Sequence, residues 1–552
     1  MATAIDAVTG EPEMSAVTGG PAMSAVTGGE AVVSALKIHG VEVVWGIPGT
    51  HNLEIYAHLS SSGIRHLLPR HEQGAAFAAD GYARVTGRPG VCVTTTGPGV
   101  LNAATALAQS WSDSVPVLLV SAGLPLRHPG RGNGYLHEAK DLRGAMQALV
   151  AYSHRVTSVK EIPSAVAQAF ATMTSGRPRP VHLEIPLDVL LERGDAPAVR
   201  PITPADATPD AGALADAASR LTAGRRRLVI AGGGARNASG ELLALAAALA
   251  APIVTTFNGR GTVPSAHPLV LGSGLHRGVV AELVADSDTV LVVGSELAPA
   301  DLWDGPLELA GKVVRVDIDT DQAVANVTPA ASVVGDAATV LRGLLERCGP
   351  IEDGDADRGA QIAAWRERFE LDARTAGARW EWLLAPIADA LGGDGIVVGD
   401  SAMVCYYGAA VCLPAAGPGR FLYPTGFGTL GYGLPAGIGA KIARPDAPVI
   451  VLIGDGGIMF TLAELAAAAQ ADVALAVVVV DNGGYGEIRS EMEARGDTPL
   501  AVELPGPDFV ALARALGCQG ERVDDSAQLA AALERARTAT GPTLIHARER
   551  CP

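Results

Sequence analysis

Apolar positions along this chain follow two alternating rhythms. Short β-branched and aliphatic runs at residues 41–46, 90–95 and 115–121 are separated by Ala-rich stretches of helical spacing at 73–86 and 101–112. Short apolar runs between helices predict strands buried on both faces, and their alternation predicts a parallel, doubly wound α/β sheet. The rhythm pauses where Pro and Ala crowd residues 197–210, then resumes with predicted strands at 227–231, 252–256, 289–293 and 313–317. It pauses again in the polar residues 350–358, before a predicted helix at 380–391 and strands at 395–399, 449–453, 475–480 and 543–547. Three doubly wound α/β domains are expected: 27–196, 197–350 and 351–552.

The first residues break this pattern. Ala-Val-Thr-Gly begins at residues 7, 16 and 25, in a Gly-rich stretch poor in large apolar side chains, so residues 1–26 are expected to form a disordered leader. Thr27-Gly28-Gly29-Glu30 has the spacing of a helix capping box ahead of a helix at 31–38.

Composition narrows the function classes. With 552 residues, 48% of them hydrophobic, the chain can bury several cores, which excludes a single small module or a largely disordered protein. A formal net charge of −17 disfavours nucleic acid and anionic bilayers as partners. Six scattered cysteines with no Cys-x-x-Cys pair suggest neither zinc nor disulfides, so reduced thiols in the cytoplasm are expected. No apolar run approaches the roughly 20 residues of a membrane span, and the N-terminus lacks a basic segment followed by an apolar one.

The strongest chemical signal follows the strand at 449–453. Its end, Gly454-Asp455-Gly456-Gly457, opens a predicted helix at 461–470, and open α/β sheets bind ligands at such strand ends. The glycines let a phosphate approach backbone N–H groups, whereas Asp455 would repel it. A divalent cation between them removes the conflict, since Mg²⁺ takes carboxylate, amide and phosphate oxygens together. After Gly456 come 25 residues and then Asn482, in Asp481-Asn482-Gly483-Gly484-Tyr485 at the end of the next strand. Asn482 and the Gly484 carbonyl can therefore reach the same place as Asp455.

This arrangement resembles the diphosphate–metal motif of thiamine-diphosphate enzymes, of the acetolactate synthase and 2-oxo-acid decarboxylase type. The resemblance implies thiamine diphosphate and Mg²⁺ as cofactors, with Asp455, Asn482 and Gly484 as metal ligands and Gly454, Gly456, Gly457 and Tyr485 around the diphosphate. A second match is Arg70-His71-Glu72-Gln73-Gly74 after the strand-like 64–68. It implies that Glu72 is the acid that hydrogen-bonds N1′ of the aminopyrimidine, and such a carboxyl should be desolvated. A third match is the Gly-rich run 425–439, read as a place of close backbone approach to the ligand. There the resemblance implies Leu430 as the prop that bends the cofactor and the Gly428 carbonyl as a pyrimidine contact. The stretch Gly399-Asp400-Ser401-Ala402 adds Ser401 to the cofactor neighbourhood.

Near the N-terminus, Thr50 and His51 lie in the strand-end loop Gly46-Ile47-Pro48-Gly49-Thr50-His51-Asn52. The resemblance makes them candidate polar catalytic groups, and either could instead cap the helix starting near Leu53. His137 is a further candidate proton donor. Because the resembled enzymes place the Glu and the metal loop on different subunits, at least a homodimer is implied, with a homotetramer as the expected assembly.

The stretches 135–143, 399–405 and 482–489 look most like the 5-guanidino-2-oxopentanoate decarboxylases. The implied reaction is non-oxidative loss of CO2 from a 2-oxo acid, through an enamine, to an aldehyde. The alternative is carboligation of pyruvate by an acetolactate synthase; a non-catalytic scaffold is the rival class. A guanidino tail would want a carboxylate, for which Glu138, Glu487 and Glu491 are candidates. Ala231-Gly232-Gly233-Gly234-Ala235-Arg236 in the middle domain resembles the flavin-holding loops of synthases, and FAD is left open.

Overall fold

The computed structural model describes residues 25–549 except 129, 131, 203–207, 304, 306 and 351–356. The expected disordered leader therefore lies, but for its last two residues, outside the described residues. Val26–Thr27 pairs antiparallel with Arg193–Gly194, so the start of the N-terminal unit is stitched to its end. Thr27 accepts the Glu30 N–H at 3.2 Å, forming the N-terminal half of the expected capping box.

Three six-stranded sheets carry the chain, and every strand pair within them is parallel. The first runs Arg65–Leu67, Val43–Gly46, Gly90–Thr94, Val117–Gly123, Val181–Pro186 and Ser153–Arg155 across its width. The third runs Phe421–Leu422, Ile396–Gly399, Val449–Gly454, Ala476–Asp481, Thr543–Arg548 and Gln519–Val523. Numbered along the chain within each sheet, both orders are 2-1-3-4-6-5, so these units share one topology with a switch point between strands 1 and 3. The middle sheet runs 3-2-1-4-5-6, built from Val270–Ser273, Ile253–Thr255, Arg227–Ala231, Thr289–Val293, Val313–Asp317 and Ala331–Val334.

The apolar runs end up inside: Val117 to Val120, Val290 to Val293 and Val449 to Ile453 are all buried. The first and third units are back to back through the helices Glu72–Thr86 and Gly433–Ala443, each of which follows the second strand of its own sheet. This contact corrects one expectation. Residues 433–439 of the Gly-rich run lie in a helix, where Gly439 packs against the other helix and Gly433 and Gly437 against Val451 of the sheet. A Cβ on Gly439 would lie 1.9 Å from the Ala78 carbonyl oxygen, and one on Gly81 would lie 2.2 Å from that of Ala436.

Polar links complete the same interface. Arg84 reaches Asp80 at 2.6 Å and Asp113 at 2.7 Å, while Tyr432 donates to Asp80 at 2.8 Å. Asp113 in turn accepts the backbone N–H groups of Thr425 and Gly426 at 3.1 and 2.8 Å. The N-terminal unit thereby fixes the loop that carries Gly428 and Leu430.

Candidate functional site

In the third sheet, strand order reverses between Ile396–Gly399 and Val449–Gly454, and a crevice opens where neighbouring strands send their connections in opposite directions. Asp400 and Ser401 leave the first strand there, and Asp455 leaves the second. Asn482 and Gly484 leave the adjacent strand Ala476–Asp481. Register fixes the meeting, since Gly454 pairs with Val480.

Asp455 is 3% exposed, and its Oδ2 is buried without a hydrogen-bond partner. Its Oδ1 accepts the Asn482 backbone N–H at 3.4 Å. One end of the Asn482 side-chain amide lies 2.8 Å from the Gly484 carbonyl oxygen and 3.3 Å from Asp455 Oδ1. With nitrogen at that end, the amide donates to both oxygens. With oxygen there, three oxygens face one point, an arrangement that a hard cation between them would stabilise. Burial, reinforced by the neighbouring Asp481, pushes the Asp455 carboxyl up to about 6. A buried carboxylate with an unpaired oxygen, an amide and a carbonyl is a donor set that fits Mg²⁺.

The turn beside this set is made of glycines for a steric reason. A Cβ on Gly456 would lie 2.9 Å from the Tyr485 ring, and one on Gly457 would lie 3.0 Å from Asp400 Oδ1. Gly484 has φ +136° and sits against the Val502 carbonyl, so only glycine fits that position. Gly454 precedes the short helix Asp455–Ile458, which the sequence does not announce.

Asp400 organises the crevice and was not among the expected site residues, although it lies in the quoted stretch 399–402. Fully buried, it accepts the N–H groups of Gly431 and Gly433 at 3.1 and 2.7 Å, and burial pushes its carboxyl up to about 6. It therefore anchors the C-terminal end of the loop holding Gly428, at φ +65°, and the half-buried Leu430. Ser401 lies beside the Tyr406 and Tyr423 hydroxyls.

The N-terminal unit contributes a second group of residues. Glu72 begins its helix, is 8% exposed, and accepts from the Asn102 amide at 2.9 Å through Oε2. Just before it, Glu464 of the C-terminal unit accepts the backbone N–H groups of Arg70 and His71, both at 3.0 Å. Within one chain, no hydrogen bond among the described residues joins Glu72 to Asp455, Asn482 or Gly484.

His51 and His137 come together at the switch point of the first sheet, with ring centroids 5.0 Å apart. The Nδ1 atoms of both are buried without partners. Burial, and then the neighbouring His137, holds the His51 imidazole below its usual range. Thr50 is exposed on the same loop. Neither Thr50 nor His51 caps the helix Leu53–Ser62: its N-cap residue is Asn52, whose side chain instead ties the loop, accepting from Gly49 at 2.7 Å and donating to Ile47 at 3.1 Å. His137 has φ +66°, and a Cβ on Gly97 would lie 2.4 Å from its carbonyl oxygen.

The three candidate substrate carboxylates are in different circumstances. Glu138 accepts from the backbone of Gly132, Gly134 and Tyr135, so it shapes its own loop. Glu491 is exposed, whereas Glu487 is half-buried and accepts from the Tyr407 hydroxyl at 2.7 Å. In the middle unit, a Cβ on Gly232 would lie 2.2 Å from the Gly294 carbonyl oxygen. Close packing of two loops accounts for that glycine, which therefore carries no argument for FAD.

Comparison with known proteins adds chain-long similarity to this geometry. Residues 26–149 match the thiamine pyrophosphate enzyme N-terminal TPP binding domain, residues 214–344 its central domain and residues 398–547 its C-terminal TPP binding domain. A protein of Pseudomonas aeruginosa described as a probable 2-ketoarginine decarboxylase is 42% identical over 524 residues, spanning 94% of each chain. The acetolactate synthase isozyme 2 large subunit of Escherichia coli is 33% identical over 93% of this chain and 94% of its own. A probable acetolactate synthase large subunit of Methanocaldococcus jannaschii is 31% identical over 93% and 90%.

Proposed function

This chain belongs to the thiamine pyrophosphate enzyme family, and from that premise we propose that it removes CO2 from 5-guanidino-2-oxopentanoate (2-ketoarginine) to leave an aldehyde. The observation that carries the reading is the meeting of the Asp455 carboxylate, the Asn482 side-chain amide and the Gly484 carbonyl at the strand ends. Similarity along the whole chain to a protein described as a probable 2-ketoarginine decarboxylase supports the substrate.

Thiamine diphosphate, when bound, supplies a carbon nucleophile and an electron sink for the bond that breaks. Asp455, Asn482 and the Gly484 carbonyl would hold Mg²⁺, and the Gly454, Gly456 and Gly457 turn with Tyr485 would hold the diphosphate. Leu430 and the Gly428 carbonyl would hold the pyrimidine end, with Ser401 beside them. Asn102 fixes Glu72 Oε2, which leaves Oε1 to share a proton with the pyrimidine ring nitrogen. His51, His137 and Thr50 are the polar groups from which the product can take its proton. The unpaired Nδ1 atoms of both histidines leave them free to serve.

The same reading makes the protein a homodimer at least, assembling as a homotetramer, in which Glu72 faces the metal loop of the other subunit. It also places the protein in the cytoplasm, in keeping with free cysteines at the described positions. Among the described residues, no helix is long and apolar enough to cross a membrane.

The similarity to acetolactate synthases supports a second reading, in which two 2-oxo acid molecules are joined with loss of one CO2. A product assay separates the two. Purified protein with thiamine diphosphate and Mg²⁺ should release CO2 and 4-guanidinobutanal from the guanidino acid. Higher kcat/KM on pyruvate, with acetolactate as product, would overturn the decarboxylase reading.

A further inference from the structure

Glu487 lies one helical turn beyond the Asn482–Gly484 loop, in the first turn of the helix Gly486–Ala494. A helix start accounts for a carboxylate there through the dipole. It does not account for the way this one is held. Tyr407 donates to Oε1 at 2.7 Å, while Oε2 is buried with no hydrogen-bond partner among the described residues. An unpaired buried carboxylate oxygen is costly, and a cationic donor is what would satisfy it.

The surroundings match one kind of cation. The Tyr407 ring stacks parallel to Trp380, with centroids 6.4 Å apart, and meets Trp303 edge-on at 5.7 Å. Tyr406 stands beside it at 6.0 Å. Trp303 is 38% exposed, so this aromatic wall is open on one side. A planar guanidinium pairs with a carboxylate through two parallel hydrogen bonds and lies against aromatic faces, whereas a compact ammonium makes less use of both.

We infer that Glu487, oriented by Tyr407 and walled by Tyr406 and Trp303, is the subsite that receives the guanidinium of the substrate. The inference rests on the proposed decarboxylase reading and selects one carboxylate of three. Glu138 is excluded because its oxygens already serve three backbone N–H groups, and Glu491 because it is exposed. Met403 links the subsite to the cation site: its sulfur lies 3.9 Å from the Asn482 amide and would lie 3.0 Å from a Cβ on Gly486, the residue before Glu487.

The test compares kcat/KM for 5-guanidino-2-oxopentanoate with that for the neutral 2-oxohexanoate, in the parent holoenzyme, Glu487→Gln and Tyr407→Phe. Glu487→Gln should lower the ratio of the two on the order of 100-fold, mainly through KM, and Tyr407→Phe about tenfold. An unchanged ratio, including an equal loss on both substrates, overturns the subsite. Calorimetry with 5-guanidinopentanoate, which has no ketone to react, provides an arm independent of turnover: the parent should bind it and Glu487→Gln should not. Binding that depends on Glu487, with no CO2 from any 2-oxo acid, would keep the subsite and overturn the decarboxylase reading. Turnover of 5-guanidino-2-oxopentanoate with a substrate ratio and 5-guanidinopentanoate binding unchanged by Glu487→Gln would do the reverse.

Discussion

Glu464 Oε1 accepts the backbone N–H of His71 at 3.0 Å across 393 residues of sequence, so the C-terminal unit positions the residue just before Glu72. The same oxygen takes the Arg70 N–H, and a Cβ on Gly74 would lie 2.4 Å from it. The start of the Glu72 helix is therefore set by a side chain from the other end of the protein.

The burial of that carboxyl makes stability depend on pH. Burial, with the nearby Glu72 adding to it, pushes the Glu464 carboxyl up to about 7 from an ordinary 4.5. The folded chain binds this proton more tightly than the unfolded one. Its contribution is complete below about pH 4.5 and is lost as pH rises through about 7, an effect on the order of 3 kcal/mol. Glu464→Gln keeps the acceptor oxygen and removes the titration. The unfolding midpoints of parent and variant should coincide near pH 5 and separate toward pH 8, with the variant the more stable. Parallel curves across that range would contradict the assignment.

Removal of the cation tests the Asp455 set. Dialysis against a chelator should release thiamine diphosphate together with Mg²⁺, because the diphosphate would otherwise face a carboxylate directly. Asp455→Asn should weaken Mg²⁺-dependent uptake of the coenzyme at least about tenfold by calorimetry, since the proposed ligand set of Asp455, Asn482 and Gly484 loses its carboxylate. Undiminished uptake by the variant would remove Asp455 from the ligand set.

The helix interface makes a prediction opposite in sign to propensity. In an ordinary helix, Gly→Ala stabilises by about 1 kcal/mol. At Gly439 the added Cβ would stand 1.9 Å from the Ala78 carbonyl oxygen, and a backbone atom cannot swing aside. Gly439→Ala should therefore destabilise by about 1–3 kcal/mol or more, read as a lowered thermal midpoint of the coenzyme-free protein. An unchanged or raised midpoint would show that these two helices do not pack this closely.

The strands that bury both faces were the legible part of the fold. Predicted runs at 227–231, 289–293 and 313–317 coincide with Arg227–Ala231, Thr289–Val293 and Val313–Asp317, because uninterrupted β-branched residues suit little else. The strand Gln519–Val523 mixes Gln, Gly, Glu and Arg with one Val at a sheet edge, and its sequence carries no such signature. Among site residues, Asp455 and Asn482 could be placed because glycines punctuate strand ends around them. Glu464 and Asn102 could not: the first opens the Ala-rich helix Glu464–Gln470, the second lies in the helix Pro98–Ser112, and only tertiary packing brings them to Glu72. The Gly-rich run 425–439 was legible as unusual, but whether glycine admits a ligand or another helix depends on what lies opposite.

The division of the site between subunits can be tested without a further structure. Glu72→Gln and Asp455→Asn should each be inactive alone, the first for want of an acid at the ring nitrogen and the second for want of the cation. When both are expressed together, chains pair at random and about half of the dimers are mixed. If Glu72 of one subunit serves the metal loop of the other, one of the two sites in a mixed dimer draws both of its residues from unmutated positions. Activity per chain should then recover to about a quarter of the parent value. If each chain builds its own site, every site carries one of the two substitutions and no activity returns.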